Sequence, residues 1–101
     1  MSHMGTYKYQ TVVLKTISRK YNIDLESIQE ALKDLLVQKN YLNYKNKLKE
    51  LFGDYSVFAE QELSNLVEKL IITVNSIGIL KNIRYNNNIL HLDIEVENEI
   101  S

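Results

Sequence analysis

The hydrophobic period of the chain changes once, near Gly78, and that change limits the fold more than any other feature. Up to Ile77 apolar residues recur every three to four positions. The last such run, Leu63, Leu66, Val67, Leu70, Ile71, Val74 and Ile77, marks one side of a helix. After Gly78 the period is two. Leu90, Leu92, Ile94 and Val96 alternate with His91, Asp93, Glu95 and Glu97, as a strand with one buried face requires. Ile79, Ile83 and Tyr85 alternate less strictly before it. Asn86-Asn87-Asn88 separates the two runs as a turn, because Asn tolerates positive φ. Matching apolar faces sets the register: Tyr85 opposite Leu90, Ile83 opposite Leu92 and Ile79 opposite Val96, with Asn87-Asn88 as a two-residue turn.

The helical part divides at its Asn, Asp and Gly residues. Tyr9, Val12, Val13, Ile17 and Tyr21 predict a first helix over about Tyr7–Tyr21, with Lys8, Lys15 and Arg19 on one face and Asn22 at its end. Asp24 is the expected N-cap of a second helix, about Leu25–Gln38, with a stripe of Leu25, Ile28, Ala31, Leu32, Leu35 and Leu36. Asn40 marks its end. A third helix, about Leu42–Phe52, stops at Gly53, and Ser56 is placed to cap the fourth. The fold class is therefore α+β, three to four helices followed by a C-terminal antiparallel β-hairpin. Isolated hairpins are marginal in water, so this one must pack, and the fourth helix is the expected support.

A chain of 101 residues, 45% of them hydrophobic, can bury a real core. It has no cysteine, which removes disulfides, thiolate chemistry and cysteine-based metal sites, and no proline. No apolar run approaches the roughly 20 residues of a membrane span, and a cytoplasmic location is the expectation. The opening Met1-Ser2-His3-Met4 looks like a cloning remnant. Residues 1–5 are expected to be a disordered tag and 6–101 a single domain.

Catalytic patterns are missing. The three glycines are isolated, so no phosphate-cradling loop exists, and His91 is the one histidine outside the opening segment. Carboxylate pairs such as Glu60/Glu62 and Glu97/Glu99 are ordinary for a solvated face. The expectation is a non-enzyme without catalytic residues, metal or cofactor.

Net charge is −1, but nine Lys/Arg against four Asp/Glu lie in Tyr7–Lys49, and three against nine in Glu50–Ser101. Lysines interleaved with tyrosines can grip phosphates and stack bases. The candidate nucleic-acid-binding residues are Lys8, Lys15, Arg19, Lys20, Lys39, Tyr41, Tyr44, Lys45, Lys47 and Lys49, with Lys15, Arg19, Lys45 and Lys47 expected on one positive surface. The same pattern also describes a solvated lysine face with tyrosines at the core edge.

Within Leu14–Leu42, Ser18, Asn22-Ile23, Ile28 and Ala31 have helix-turn-helix spacing, and with the hairpin the chain resembles a winged-helix domain. The resemblance implies nucleic-acid binding. The helix that would enter the major groove exposes Glu26, Glu30 and Asp34, so contacts to the phosphate backbone are expected rather than base readout. The C-terminal half, a long amphipathic helix, Gly78-Ile79-Leu80 and the hairpin, is similar to small assembly domains of bacterial secretion and pilus platforms. The expected function is a non-enzymatic nucleic-acid-binding module. The alternative is a protein–protein assembly module or homodimer, using the stripe of the 60–77 helix or a hairpin edge that Glu95, Glu97 and Glu99 partly protect by charge.

Overall fold

The computed structural model describes residues 2–97 and shows an α+β fold. Strand β1 (Ser2–Gln10) is followed by four helices, α1 (Val13–Tyr21), α2 (Leu25–Leu36), α3 (Tyr41–Phe52) and α4 (Ser56–Ile77). A single 3₁₀ turn, Gly53–Tyr55, joins α3 to α4. The hairpin of β2 (Ile79–Asn86) and β3 (Ile89–Glu97) closes the chain. The sheet is antiparallel in the order β1-β3-β2, so the last strand is central.

The first helix is shorter than its sequence pattern predicts, and Tyr7–Gln10 is strand. Tyr7 and Tyr9 oppose Leu92 and Leu90 across β3, and Tyr9 packs on the core. Their period-two spacing merged with the helical spacing of Val13 and Ile17, and their pairing partner lies some 80 residues onward in sequence. Ser2–Gly5, set aside as a tag, belongs to the same strand. Met1 and Glu99 lie outside the described residues. Lys8 therefore leaves the α1 face and sits on β1 opposite His91.

The hairpin register is as predicted from Asn86 to Asn82. Tyr85 faces Leu90, Ile83 faces Leu92, and Asn87 and Asn88 turn at φ 50° and 65°. Beyond Asn82 the register shifts, because a bulge leaves Lys81 unpaired. Ile79 consequently faces Glu95 rather than Val96 and is 54% exposed, while Leu80 takes the inward position opposite Ile94. Gly78 precedes the bulge. A Cβ there would collide with the carbonyl oxygen of Glu95, so the backbone crossing admits only glycine.

One core joins the helices to the sheet. Leu14 and Ile17 of α1, Ile28 and Leu32 of α2, Tyr44 and Leu48 of α3, and Leu63 and Leu70 of α4 pack with Ile83, Leu90, Leu92 and Ile94. Each such side chain contributes roughly 1.5–3 kcal/mol by burial. The hairpin rests on α2 as well as α4, and Gln29 of α2 accepts a 2.9 Å hydrogen bond at Oε1 from the Tyr85 N–H. Asn40, expected to end α2, caps α3 instead, its Oδ1 accepting from the Asn43 N–H at 3.0 Å. Asp24 sits at the N-cap of α2, where its backbone carbonyl accepts the bonds of the first turn and its side chain makes none. Ser56 opens α4 without a side-chain cap.

Candidate functional site

The proposed basic surface disperses in three dimensions. Lys45 and Lys47 lie two apart on α3 and so face different neighbours. Lys45 pairs with Glu60 of α4 at 3.7 Å, and Lys47 pairs with Asp34 of α2 at 2.9 Å. Lys20 pairs with Glu62 of α4 at 3.1 Å. Tyr41 donates its hydroxyl to Glu60 Oε2 at 3.0 Å, with the Lys45 ammonium over its ring. Tyr44 is 1% exposed, since its ring is needed in the core between α3 and α4, and it cannot stack on a base. Lys8, Lys15, Arg19, Lys39 and Lys49 have no carboxylate partner among the described residues, and they are divided among β1, α1, the α2–α3 connection and α3. Of these, Lys15 and Arg19 share the outer side of α1, and Lys15 lies beside the Asn86–Asn88 turn.

The helix-turn-helix segment closes locally as its sequence implies. Asn22 adopts a left-handed φ of 55°, the Ile23 N–H donates to the Ser18 carbonyl at 3.0 Å, and the Ser18 hydroxyl donates to the Ile23 carbonyl at 2.5 Å. Helix α2, however, is packed by α1, α3 and β2 together. What it leaves to solvent is the acidic edge of Glu26 and Glu30.

A groove runs along α4 instead. Its wider end, a cleft of about 380 Å³, lies between Leu35, Leu36 and Lys39 on one side and Ile71, Val74 and Ile79 on the other. A second cleft of about 270 Å³ continues it past Leu35 and Ile71 to Tyr41, Tyr44, Val67 and Glu60. Glu60, Ser64, Val67, Glu68, Ile71 and Asn75 line one side of α4 for about 22 Å at 1.5 Å per residue. The groove exists because α4 is apolar over more of its circumference than the fold covers. Leu70 is fully buried, yet Ile71 is 41% and Ile72 is 71% exposed. The run Leu70-Ile71-Ile72 signals this in the sequence, since three consecutive residues of a helix cannot share one face.

Two features give the groove chemical character. The Tyr44 hydroxyl at its inner wall is buried without a hydrogen-bond partner among the described residues. Burial, with Glu60 nearby, pushes its ionisation well above the ordinary tyrosine value. The rim carries Glu68 toward one end and Lys39 toward the other.

Comparison with protein-family models, with curated proteins and with solved structures gives no significant match. Among the described residues no group of His, Asp and Glu side chains could hold a metal ion, and no helix is long and apolar enough to cross a membrane.

A polar cluster on the other flank of α4 has a structural explanation. Tyr21 donates to Glu62 Oε1 at 2.5 Å and Lys20 donates to the same oxygen at 3.1 Å. These bonds hold the Glu62 carboxyl below its ordinary range, the tyrosine bond contributing most. The Tyr21 ring meets Phe52 edge-on at 5.2 Å, so the cluster ties α1 to α4 over the end of α3.

Proposed function

We propose that this chain is a non-enzymatic protein–protein assembly module, and that the groove along α4 receives an amphipathic helix of a partner protein. The observation that carries it is the continuous apolar wall of Leu35, Val67, Ile71 and Ile79, left open beside the nearly bare Ile72. Exposed apolar surface of this kind, rimmed by polar residues, favours a docking role. Its length suits about four turns of helix, with anchors at i, i+3 or i+4, and i+7. The rim favours a partner that is basic where it meets Glu68 and acidic where it meets Lys39.

The nucleic-acid role remains the alternative and rests on Lys15 and Arg19, the pair that share a face of α1. One comparison separates the two. Mixed-sequence duplex and single-stranded DNA are titrated at two salt concentrations against the native protein and Lys15→Glu/Arg19→Glu. A phosphate-binding surface would give affinity that falls with salt, with a slope reduced by roughly one unit per lost contact. The assembly role predicts no such binding. Salt-dependent affinity removed by the double reversal would replace it with the nucleic-acid role.

A further inference from the structure

The outer edge of β1 is open, and its sequence is complementary to itself. The Thr11 N–H donates to the Asn88 carbonyl at 2.8 Å. Hydrogen-bonded pairs in an antiparallel ladder recur every second residue, so His3, Gly5, Tyr7 and Tyr9 bond to β3. Met4, Thr6, Lys8 and Gln10 therefore turn their backbone N–H and C=O groups away from the sheet. The opposite edge is partly covered, since the outward Tyr85 N–H is taken by Gln29 of α2. The side chains of Met4, Thr6, Lys8 and Gln10 are all exposed. Lys8 alone among these side chains carries charge, and the β1–β3 register has no shift. Lys8 is thus the one charge on this edge that opposes strand addition, and no bulge or proline interrupts β1.

We propose that β1 pairs antiparallel with β1 of a second copy, about a two-fold axis at Thr6, to make a six-stranded sheet. Thr6 is the midpoint of Ser2–Gln10, so this register alone engages the whole strand, and it presents outward-facing backbone groups to one another. It sets Thr6 against Thr6 and Lys8 against Met4, which avoids the like-charge contact of an axis at Lys8. A polar row already crosses the sheet to this edge. Arg84 Nη2 donates to Asp93 Oδ1 at 3.1 Å and Thr6 Oγ1 donates to the same oxygen at 2.9 Å. The two-fold axis continues that row into its own copy. On the core side Tyr7 covers Gly5 of its own strand, and this register sets each Tyr7 opposite Gly5 of the partner subunit.

The absence of cysteine makes a crosslink test clean. Thr6→Cys places its two copies at about the 5.5 Å Cα separation of a bonded pair, within disulfide range. Lys8→Cys places them roughly 13 Å apart along the strands, beyond it. Sedimentation at high micromolar concentration is expected to give a dimer. Oxidation should crosslink Thr6→Cys and spare Lys8→Cys. Met4→Glu, set against Lys8 at two symmetric positions, should tighten the dimer about threefold to tenfold, and Met4→Lys should loosen it comparably. Circular dichroism checks that each variant stays folded. A monomeric mass at that concentration overturns the proposal. So does equal crosslinking at both positions, or a dimer lost with Ile72→Asp and indifferent to Met4→Lys, which would place self-association in the α4 groove.

Discussion

The Tyr44 hydroxyl is buried with no partner among the described residues, which costs free energy that the ring's packing must offset. Tyr44→Phe keeps the ring and removes the orphan group. It is expected to leave stability unchanged or raise it by about 1 kcal/mol in chemical denaturation. A loss of that size would mean the hydroxyl is satisfied in solution. Gly78 makes the opposite case. A methyl group there meets backbone oxygen rather than a movable side chain, so Gly78→Ala should cost about 2 kcal/mol or more and lower the melting temperature. Single residues were legible in sequence where local chemistry decides the conformation. Asn87 and Asn88 form the turn that their tolerance of positive φ implies, and Gly53 ends α3 at φ 57°. Tyr44 was misread as a stacking residue because tyrosine serves core and surface alike. Which one applies depends on helices that meet it from elsewhere in the chain.

Among the elements, α2, α3, α4 and the hairpin followed from hydrophobic period and capping residues. β1 did not, because a strand paired with residues at the far end of the chain leaves little local signature. The bulge at Lys81 was also hidden: it trades Ile79 for Leu80 in the core, and both are equally apolar in sequence. Contacts between elements also set the acid response. Glu62, held by Tyr21 and Lys20, and Asp93, held by Thr6 and then Arg84, both have carboxyl ionisation below the ordinary range. A carboxylate depressed in the folded state stabilises it above the unfolded value and loses that contribution as pH falls through the folded value. Thermal stability should therefore decline as pH falls below the ordinary Glu value of 4.5 and the ordinary Asp value of 3.8. Glu62→Gln, melted over the same pH series, should show a shallower decline. An unchanged slope would mean that the Tyr21–Glu62–Lys20 contact does not persist in solution.

At the scale of the whole molecule, the charge asymmetry of the sequence is partly cancelled between elements, as Lys20 finds Glu62 across the two halves. Basic residues of the first half find the acidic residues of α2 and α4, as Lys47 finds Asp34 and Lys45 finds Glu60. Counting charge along the chain could not show this, because pairing depends on how α3 rolls between its neighbours. The apolar excess of α4 was visible in Leu70-Ile71-Ile72, but its consequence, a groove shared with Leu35 and Ile79, needed the packing of α2 and β2. Our central claim is that this groove is where the protein meets its partner. The most direct measurement installs a photo-crosslinking residue at Ile72, and in parallel at Lys49, in cells that make the protein. The partner recovered from position 72 is then titrated against Ile71→Asp and Lys15→Glu/Arg19→Glu proteins shown to be folded. The account predicts protein adducts at position 72, few at 49, and binding lost by at least tenfold, about 1.4 kcal/mol, in Ile71→Asp alone. Adducts at 49 and not at 72, or binding lost with the charge reversals and kept in Ile71→Asp, would contradict it.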